Sequence, residues 1–236
     1  MIFKNFETKN RARGFTLIEL VVVVTIMLII TSVVLFNYNS FNESMLLSNF
    51  AYDMSLTIRQ AQVYGVAVKE APGLTGANQI GSNVVAHSNF QYAYGVHFSS
   101  LAANAGSFNL FVDNGNGAGG DPDGIFQSTG ATTESLQTFL FSRGIKIKEL
   151  CVSGGVAGTG CSSTIGGASA GTAVSNLDVT FLRPNPQAII SALPVCDPYG
   201  GNPCTRATII IQNAAGTMKK AIMISSTGQI SVQAAQ

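Results

Sequence analysis

The sequence predicts an α+β protein in which one long N-terminal helix, with a membrane-spanning first half, packs on an antiparallel β-sheet or a small β-sandwich. A basic leader precedes about 22 mostly apolar residues, enough to cross a bilayer as a helix. No Pro occurs before Pro72 and no Gly between Gly14 and Gly65, so the helix can continue to about Tyr64. Beyond Gly65 the apolar pattern has a period of two, which is typical of strands.

The leader, residues 1–14, is basic. It carries one acid and four bases, a net charge of +3: Glu7 against Lys4, Lys9, Arg11 and Arg13. Basic residues before an apolar span hold the N-terminus in the cytoplasm, so we expect everything after Phe36 to lie outside. Removing the leader's charges from the 13 bases and 12 acids leaves 9 and 11. Since no polyelectrolyte-like segment remains, nucleic acid is not an expected partner.

The apolar run at residues 15–36 differs from an ordinary secretory signal. Such signals carry a small-residue cleavage site after the apolar stretch, whereas here Gly14 precedes it and no such site follows. A plain signal anchor also gives no reason for Glu19. A carboxylate inside a membrane span costs on the order of 2.5 to 3.5 kcal/mol, so Glu19 is a candidate functional residue.

Residues 13–19, Arg-Gly-Phe-Thr-Leu-Ile-Glu, resemble the type III signal shared by type IV pilins and type II secretion pseudopilins. The resemblance implies a pilin-like fold, cleavage by prepilin peptidase between Gly14 and Phe15, and N-methylation of the new Phe15 amine. It also implies that the Glu19 carboxylate pairs with the terminal amine of a neighbouring subunit. Because either charge buried alone is penalised heavily, this pair is expected to set the axial register between subunits.

After Phe36 the helix becomes amphipathic. Apolar residues recur at steps of three and four with polar residues between them, which predicts packing against the protein's own domain: Leu47, Phe50, Met54, Ile58 and Ala61. The resemblance agrees, since pilin-class proteins lay the second half of this helix on a β-sheet while the first half bundles in the filament centre. The absence of a helix-bending Pro after the span favours a pseudopilin or minor pilin.

The chain thus divides into a cleaved leader at 1–14, a membrane and filament-core helix at 15–36, its amphipathic continuation at 37–65 and an exported β-rich head at 66–236. Strands are predicted at 92–98, 108–113, 136–141, 145–152, 177–182, 207–212, 220–225 and 229–232. Residues 145–148 alternate most clearly, with Ile inward and Lys outward. Segments 55–62, 111–117, 144–147 and 227–230 resemble the GspH/FimT branch of pseudopilins and minor pilins.

The four cysteines form two local pairs whose spacings do not match the Cys-x-x-Cys pairs of zinc sites. In an oxidising compartment two disulfides are expected. Three connectivities exist for four cysteines, and of these the local pairing of Cys151 with Cys161 and Cys196 with Cys204 is favoured.

Residues 113–124 concentrate oxygen ligands, which raises the hypothesis of a calcium site formed by Asp113, Asn116, Asp121 and Asp123. Their spacing does not fit the Asp-x-Asp-x-Asp-Gly loop pattern, so a solvated turn without a cofactor is favoured. The Gly- and Ser-rich stretch 154–171 is predicted to be a long surface loop. His87 and His97 lack recognisable catalytic partners, so we expect both to be ordinary histidines and the protein not to be an enzyme.

These observations predict a structural subunit of a type IV pilus or a type II secretion pseudopilus. Its expected partners are prepilin peptidase, other pilins or pseudopilins, the inner-membrane assembly platform and, before assembly, the bilayer. It would cross the inner membrane once, with its head outside, and then enter a filament in the periplasm or at the cell surface. The alternative is a DNA-binding minor pilin of a competence pilus, but residues 226–236 contain no Lys or Arg.

Overall fold

The computed structural model describes residues 14–67, 69, 92–114, 122–128 and 134–236. Residues 1–13 of the predicted leader lie outside the described residues. The chain divides into two compact units, Met1–Glu43 and Ser44–Gln236. Both contribute to helix α1, Leu17–Val66.

Within the second unit, α1 buries one stripe of its surface. The stripe consists of residues that are at most 1% exposed: Leu47, Ala51, Met54, Ile58 and Ala61. Phe50 is half-buried against the same core, while Asn49, Asp53 and Arg59 on the other side of the helix are exposed. The predicted packing of this stripe against the protein's own domain is therefore confirmed.

In the described part of the chain, twelve strands follow the helix: β1 (Ala93–Ser99), β2 (Ser107–Asp113), β3 (Ser135–Leu140), β4 (Lys146–Gly154), β5 (Thr164–Ile165), β6 (Ala168–Ser169), β7 (Thr172–Val174), β8 (Asn176–Phe181), β9 (Ala188–Ser191), β10 (Cys204–Gln212), β11 (Lys219–Ser225) and β12 (Ile230–Ala235). The first sheet has the order β3-β2-β1-β8-β9 and the second sheet β12-β11-β10-β4-β7. β5 and β6 form a separate hairpin, and all pairings are antiparallel.

The two sheets and the second part of α1 enclose one core. Its members from the first sheet include Val96, Phe98, Leu110, Val179 and Phe181, and those from the second sheet include Ile147, Leu150, Ile209, Ile211 and Ile222. Alternate residues of these strands face the core, as the period of two predicts. An α+β, pilin-like fold with a long helix on antiparallel sheets is thereby confirmed.

Gly65 allows α1 to approach the first sheet closely. A Cβ placed on Gly65 would collide with the backbone oxygen and the Cβ of Phe181 in β8. The last turn of the helix therefore packs on β8 through bare backbone. A larger residue at position 65 would force the helix and the strand apart.

The eight predicted strands correspond to β1, β2, β3, β4, β8, β10, β11 and β12. The sequence did not predict β9, which follows Pro184 and Pro186, or the three short strands β5 to β7. The segment 154–171 is therefore more structured than the predicted loop. Its hairpin packs the side chain of Ile165 beside Ala170 on the outer face of the second sheet.

Two disulfides brace the second unit, and their pairing is the one that the sequence favours. Cys151 of β4 is bonded to Cys161 ahead of the hairpin. Cys196 is bonded to Cys204 at the start of β10. The Glu149 carboxylate adds to the first link by accepting the backbone N–H groups of Ser162 (2.8 Å) and Ser163 (3.1 Å).

Candidate processing and assembly segment

The predicted cleavage site, the peptide bond between Gly14 and Phe15, lies immediately before α1 and is accessible. Phe15 is 85% exposed. Apart from its two chain neighbours, a Cβ placed on Gly14 would meet no atom of the described residues within 4 Å. Within the described residues there is thus no packing reason for a glycine at position 14.

Thr16 and Glu19 form a capping box at the start of α1. The Glu19 N–H donates to Thr16 Oγ1 (3.3 Å), and the Thr16 N–H donates in return to Glu19 Oε2 (3.2 Å). The Thr16 hydroxyl also donates to Glu19 Oε2 (3.1 Å). In this arrangement two backbone donors of the first turn, which have no partner inside the helix, are satisfied reciprocally. The Glu19 carboxylate is consequently held beside the end of the helix that cleavage would expose.

The helix continues from this cap as an apolar segment, Leu17–Leu35, with a mean hydropathy of 2.8. None of this segment is buried against the described part of the chain. Its 19 residues extend about 28 Å at 1.5 Å per residue, which is close to the thickness of a bilayer core. Glu19 is the only charged residue between Arg13 and Glu43. The segment supports anchoring of the chain in a membrane through its N-terminal helix.

The hydroxyl groups of two threonines within the apolar segment donate hydrogen bonds to the backbone of the same helix. Thr25 Oγ1 donates to the Val22 carbonyl (2.8 Å), and Thr31 Oγ1 donates to the Met27 carbonyl (2.7 Å). Such bonds to the preceding turn remove the need for water or for an external partner in an apolar medium. Glu19 is left as the group of this segment whose charge requires compensation from outside the helix.

Of the four hypothetical calcium ligands, the structure describes Asp113 and Asp123. Asn116 and Asp121 lie outside the described residues. Asp113 is fully buried at the end of β2, where its carboxylate accepts the N–H groups of Asp123 (3.1 Å) and Gly124 (2.6 Å). Half-buried Asp123 accepts the N–H of Ile125 (2.9 Å) and the Gln127 amide (2.9 Å). Both carboxylates therefore organise the loop 122–128.

Glu134 belongs to the same cluster, although no sequence pattern predicted it. Its two carboxylate oxygens accept the N–H of Asn114 (3.0 Å) and the N–H of Gln127 (2.8 Å), joining the end of β2 to the loop. Burial raises the pKa of Glu134 to about 7 against the effect of these bonds, and the nearby Asp113 and Asp123 add to the rise. The sequence carries no local pattern that marks Glu134, because its two hydrogen-bond donors lie 20 and 7 residues away along the chain.

His97 forms a cross-strand pair with Asp178, its direct neighbour in the β1–β8 register. His97 Nδ1 lies 2.6 Å from Asp178 Oδ1, and the Phe126 ring lies against the imidazole at a centroid distance of 4.7 Å. Burial raises the pKa of Asp178, while its bond to His97 opposes the rise. Ser191 of β9 lies opposite Asp178 in the β8–β9 register, but its hydroxyl forms no hydrogen bond to the pair. The pair joins the loop to the sheet. His87 lies outside the described residues.

Among the described residues, one group brings three potential metal-ligating side chains within 4.8 Å, namely Glu149, Cys151 and Cys161. Its two sulfurs are joined to each other in a disulfide and cannot ligate as thiolates. This group therefore serves as a covalent and hydrogen-bonded brace of the hairpin.

Residues 9–35 match the family described as the prokaryotic N-terminal methylation motif. The match covers the end of the leader, the Gly14–Phe15 bond, Glu19 and the apolar part of α1, and it supports a type IV pilin-like family with a structural role. No curated protein and no solved structure shows significant similarity to the chain. The branch within that family is not identified by these comparisons.

Proposed function

We propose that this chain is a prepilin-type precursor that is cut after Gly14 by a prepilin peptidase, methylated on Phe15 and assembled into an extracytoplasmic filament. The observation that carries the proposal is the capping box itself. An accessible Gly14–Phe15 bond is followed directly by a capped helix that holds Glu19 one turn from the future amine.

The electrostatics of this arrangement support assembly through the helix. Cleavage creates a positive amine at the start of a segment that must remain in an apolar environment. A carboxylate on an adjacent helix neutralises that amine, whereas either charge alone is penalised. Since Glu19 is the only charge in the span, we infer that neighbouring subunits align by pairing Phe15 of one with Glu19 of the next.

The filament would be a type IV pilus or a type II secretion pseudopilus, with the chain as a pseudopilin or minor pilin of the GspH/FimT branch. Before assembly it would cross the inner membrane once. Its head would then be carried into the periplasm or to the cell surface. The alternative DNA-binding role gains no support of its own, because Lys219 pairs with Gln212 while Lys220 pairs with Ile211, and successive strand residues project to opposite faces.

The proposal is tested by expressing the full chain with and without a prepilin peptidase and determining the N-terminal mass. We expect a mature chain that begins with N-methylated Phe15 when the enzyme is present. Gly14→Val should block the cut, whereas Gly106→Val serves as the control, because a Cβ on Gly106 also meets no atom within 4 Å. Cleavage after the apolar segment, or an intact leader in the presence of active enzyme, would contradict the proposal.

A further inference from the structure

A pocket of about 350 Å³ lies between the loop 122–128 and the turn that follows β9. Its apolar walls are formed by Ile125, Pro198 and the ring of Tyr199. Two carboxylates also line it, those of Asp123 and Asp197, and we therefore call it the acidic pocket. The Tyr199 ring is 58% exposed. The pocket thus combines apolar and aromatic surface with negative charge.

Both carboxylates are held in place by neutral donors. Asp123 accepts the Ile125 N–H and the Gln127 amide, and Asp197 accepts the N–H groups of Tyr199 (3.1 Å) and Gly200 (2.6 Å). Neither forms an ion pair with a described residue. Each retains lone pairs for a cationic donor.

Ser191 provides an independent sign of a missing partner. It lines the pocket, is 2% exposed, and its hydroxyl has no hydrogen-bond partner in the described part of the chain. Buried hydroxyls are nearly always bonded, so an unsatisfied one at a pocket favours a ligand with a polar group.

The surrounding charge is strongly one-sided. The described residues between 92 and 142 contain three acids and no Lys or Arg, a net charge of −3, whereas residues 143–236 contain seven bases and three acids, a net charge of +4. The negative field reaches the pocket, because burial together with Asp113 and Asp123 raises the pKa of Tyr199. The counter-charge therefore lies on a different part of the head.

That counter-charge is concentrated at one end of the second sheet. Lys146 of β4 and Lys219 of β11 both pair with Gln212 of β10, so they lie two strands apart, about 10 Å. Lys148 is exposed two residues further along β4. None of these three lysines, which we call the basic sheet end, forms an ion pair with a described residue.

We propose that the acidic pocket receives a lysine side chain from the basic sheet end of a second copy of this chain. The aliphatic stem of a lysine suits the apolar walls, and its ammonium group suits two carboxylates, a hydroxyl and an aromatic face. A divalent cation is the poorer occupant, since no three described carboxylates converge there. Because the contact joins two different surfaces, it does not close into a two-fold dimer and can join each copy to the next wherever two copies are adjacent in the filament.

This inference rests on the proposed function, and photo-crosslinking of the full chain in its own host tests the two separately. A benzophenone amino acid at Leu193, a pocket residue that is 57% exposed, should yield a crosslinked homodimer. Mass spectrometry should locate the crosslink at residues 143–148 or 219–220. Its yield should fall as salt rises.

Charge changes sharpen the test. The double variant Asp123→Asn with Asp197→Asn preserves side-chain size and removes both negative charges of the pocket. The double variant Lys146→Glu with Lys148→Glu reverses two positive charges of the basic sheet end. Each double variant should abolish the crosslinked dimer. Adding Asp123→Lys and Asp197→Lys to the second double variant should restore it. Arg206→Glu, on an exposed base away from the basic sheet end, is the matched control and should leave the yield unchanged.

Crosslinks to another polypeptide or to another region, or a yield that is insensitive to charge reversal, would overturn the contact. Cleavage at Gly14 and recovery in the filament fraction are measured on the same variants. If both are normal while the dimer is absent, this contact alone is wrong. If the chain is never cut, the proposed function fails and the contact fails with it.

Discussion

Thr16 and Glu19 satisfy each other's backbone N–H groups at the start of α1, at distances of 3.3 and 3.2 Å. The Glu19 carboxylate therefore already accepts hydrogen bonds within its own chain before any neighbouring subunit is present. Local capping requires an acceptor oxygen, whereas pairing with an amine requires a negative charge. The two roles can be separated by substitution.

For Glu19, we compare Glu19→Gln with Glu19→Ala. Glutamine retains the capping box but loses the charge, and alanine loses both. We expect both variants to be cut after Gly14 and to remain in the membrane, and neither to enter filaments, as measured by immunoblots of the membrane and sheared fractions. Normal incorporation of the glutamine variant would show that capping suffices and that no charge pair is needed.

For Thr16, the expected effect is confined to the first helical turn. Thr16→Ala removes the cap and should destabilise the helix start by about 1 kcal/mol. Amide hydrogen exchange at Glu19 in detergent micelles should become faster, because its N–H loses the Thr16 hydroxyl as acceptor. Thr16→Ser keeps the hydroxyl and is the control. Equal exchange in Thr16→Ala and the wild type would exclude a contribution from this cap.

For Glu134, the pKa of about 7 fixes the sign of a pH effect. The folded state binds a proton more tightly than the unfolded chain, whose value is near 4.5. The stabilisation is therefore complete below about pH 4.5 and is lost as the pH rises through about 7. The thermal midpoint of unfolding should decrease as the pH rises from about 5 to about 8, and Glu134→Gln should make this decrease smaller.

A residual slope of the same sign is expected in Glu134→Gln, because burial also raises the pKa of Asp178. Glu149 provides a control of opposite sign. Burial alone would raise its pKa, but the bonds from Ser162 and Ser163 prevail and lower it. Glu149→Gln should therefore remove stability that is present at neutral pH and is lost on acidification. An unchanged slope in Glu134→Gln would contradict the assignment.

For Gly65, alanine tests the close approach of α1 to β8. Alanine in a helix interior is favoured over glycine by about 1 kcal/mol, whereas overpacking costs about 1 to 3 kcal/mol. Since the added Cβ would collide with the Phe181 backbone, we expect a net loss of stability, visible as a lower thermal midpoint of the full chain. Gly106→Ala, at an unobstructed position, should have little effect. A stabilised Gly65→Ala chain would refute this packing.

Much of the fold was predictable because its signals are local. The stripe from Leu47 to Ala61 repeats with the helical period, and Ile145 and Ile147 alternate with exposed lysines. The disulfide pairs close short loops, with sequence separations of 10 and 8. The capping box also lies within four consecutive residues, so its Thr-x-x-Glu spacing is readable from the sequence, as is the lone charge of Glu19 in the apolar run.

The polar contacts of the head were not predictable for the opposite reason. His97 and Asp178 are separated by 81 residues and meet only because β1 and β8 pair. Similarly, Ser191 faces the acidic pocket from β9, a strand whose flanking prolines suppress the usual strand pattern. Side chains brought together by sheet topology leave no spacing rule in the sequence.

The open surroundings of Gly14 have a consequence for genetics. Because no part of the described chain contacts that position, substitutions there should leave the abundance of the precursor and its resistance to quality-control proteases unchanged. An allele at codon 14 would then be a separation-of-function allele, normal in folding and defective in a single step. Phenotypes of such a strain report on maturation alone, which no substitution in the buried head can offer.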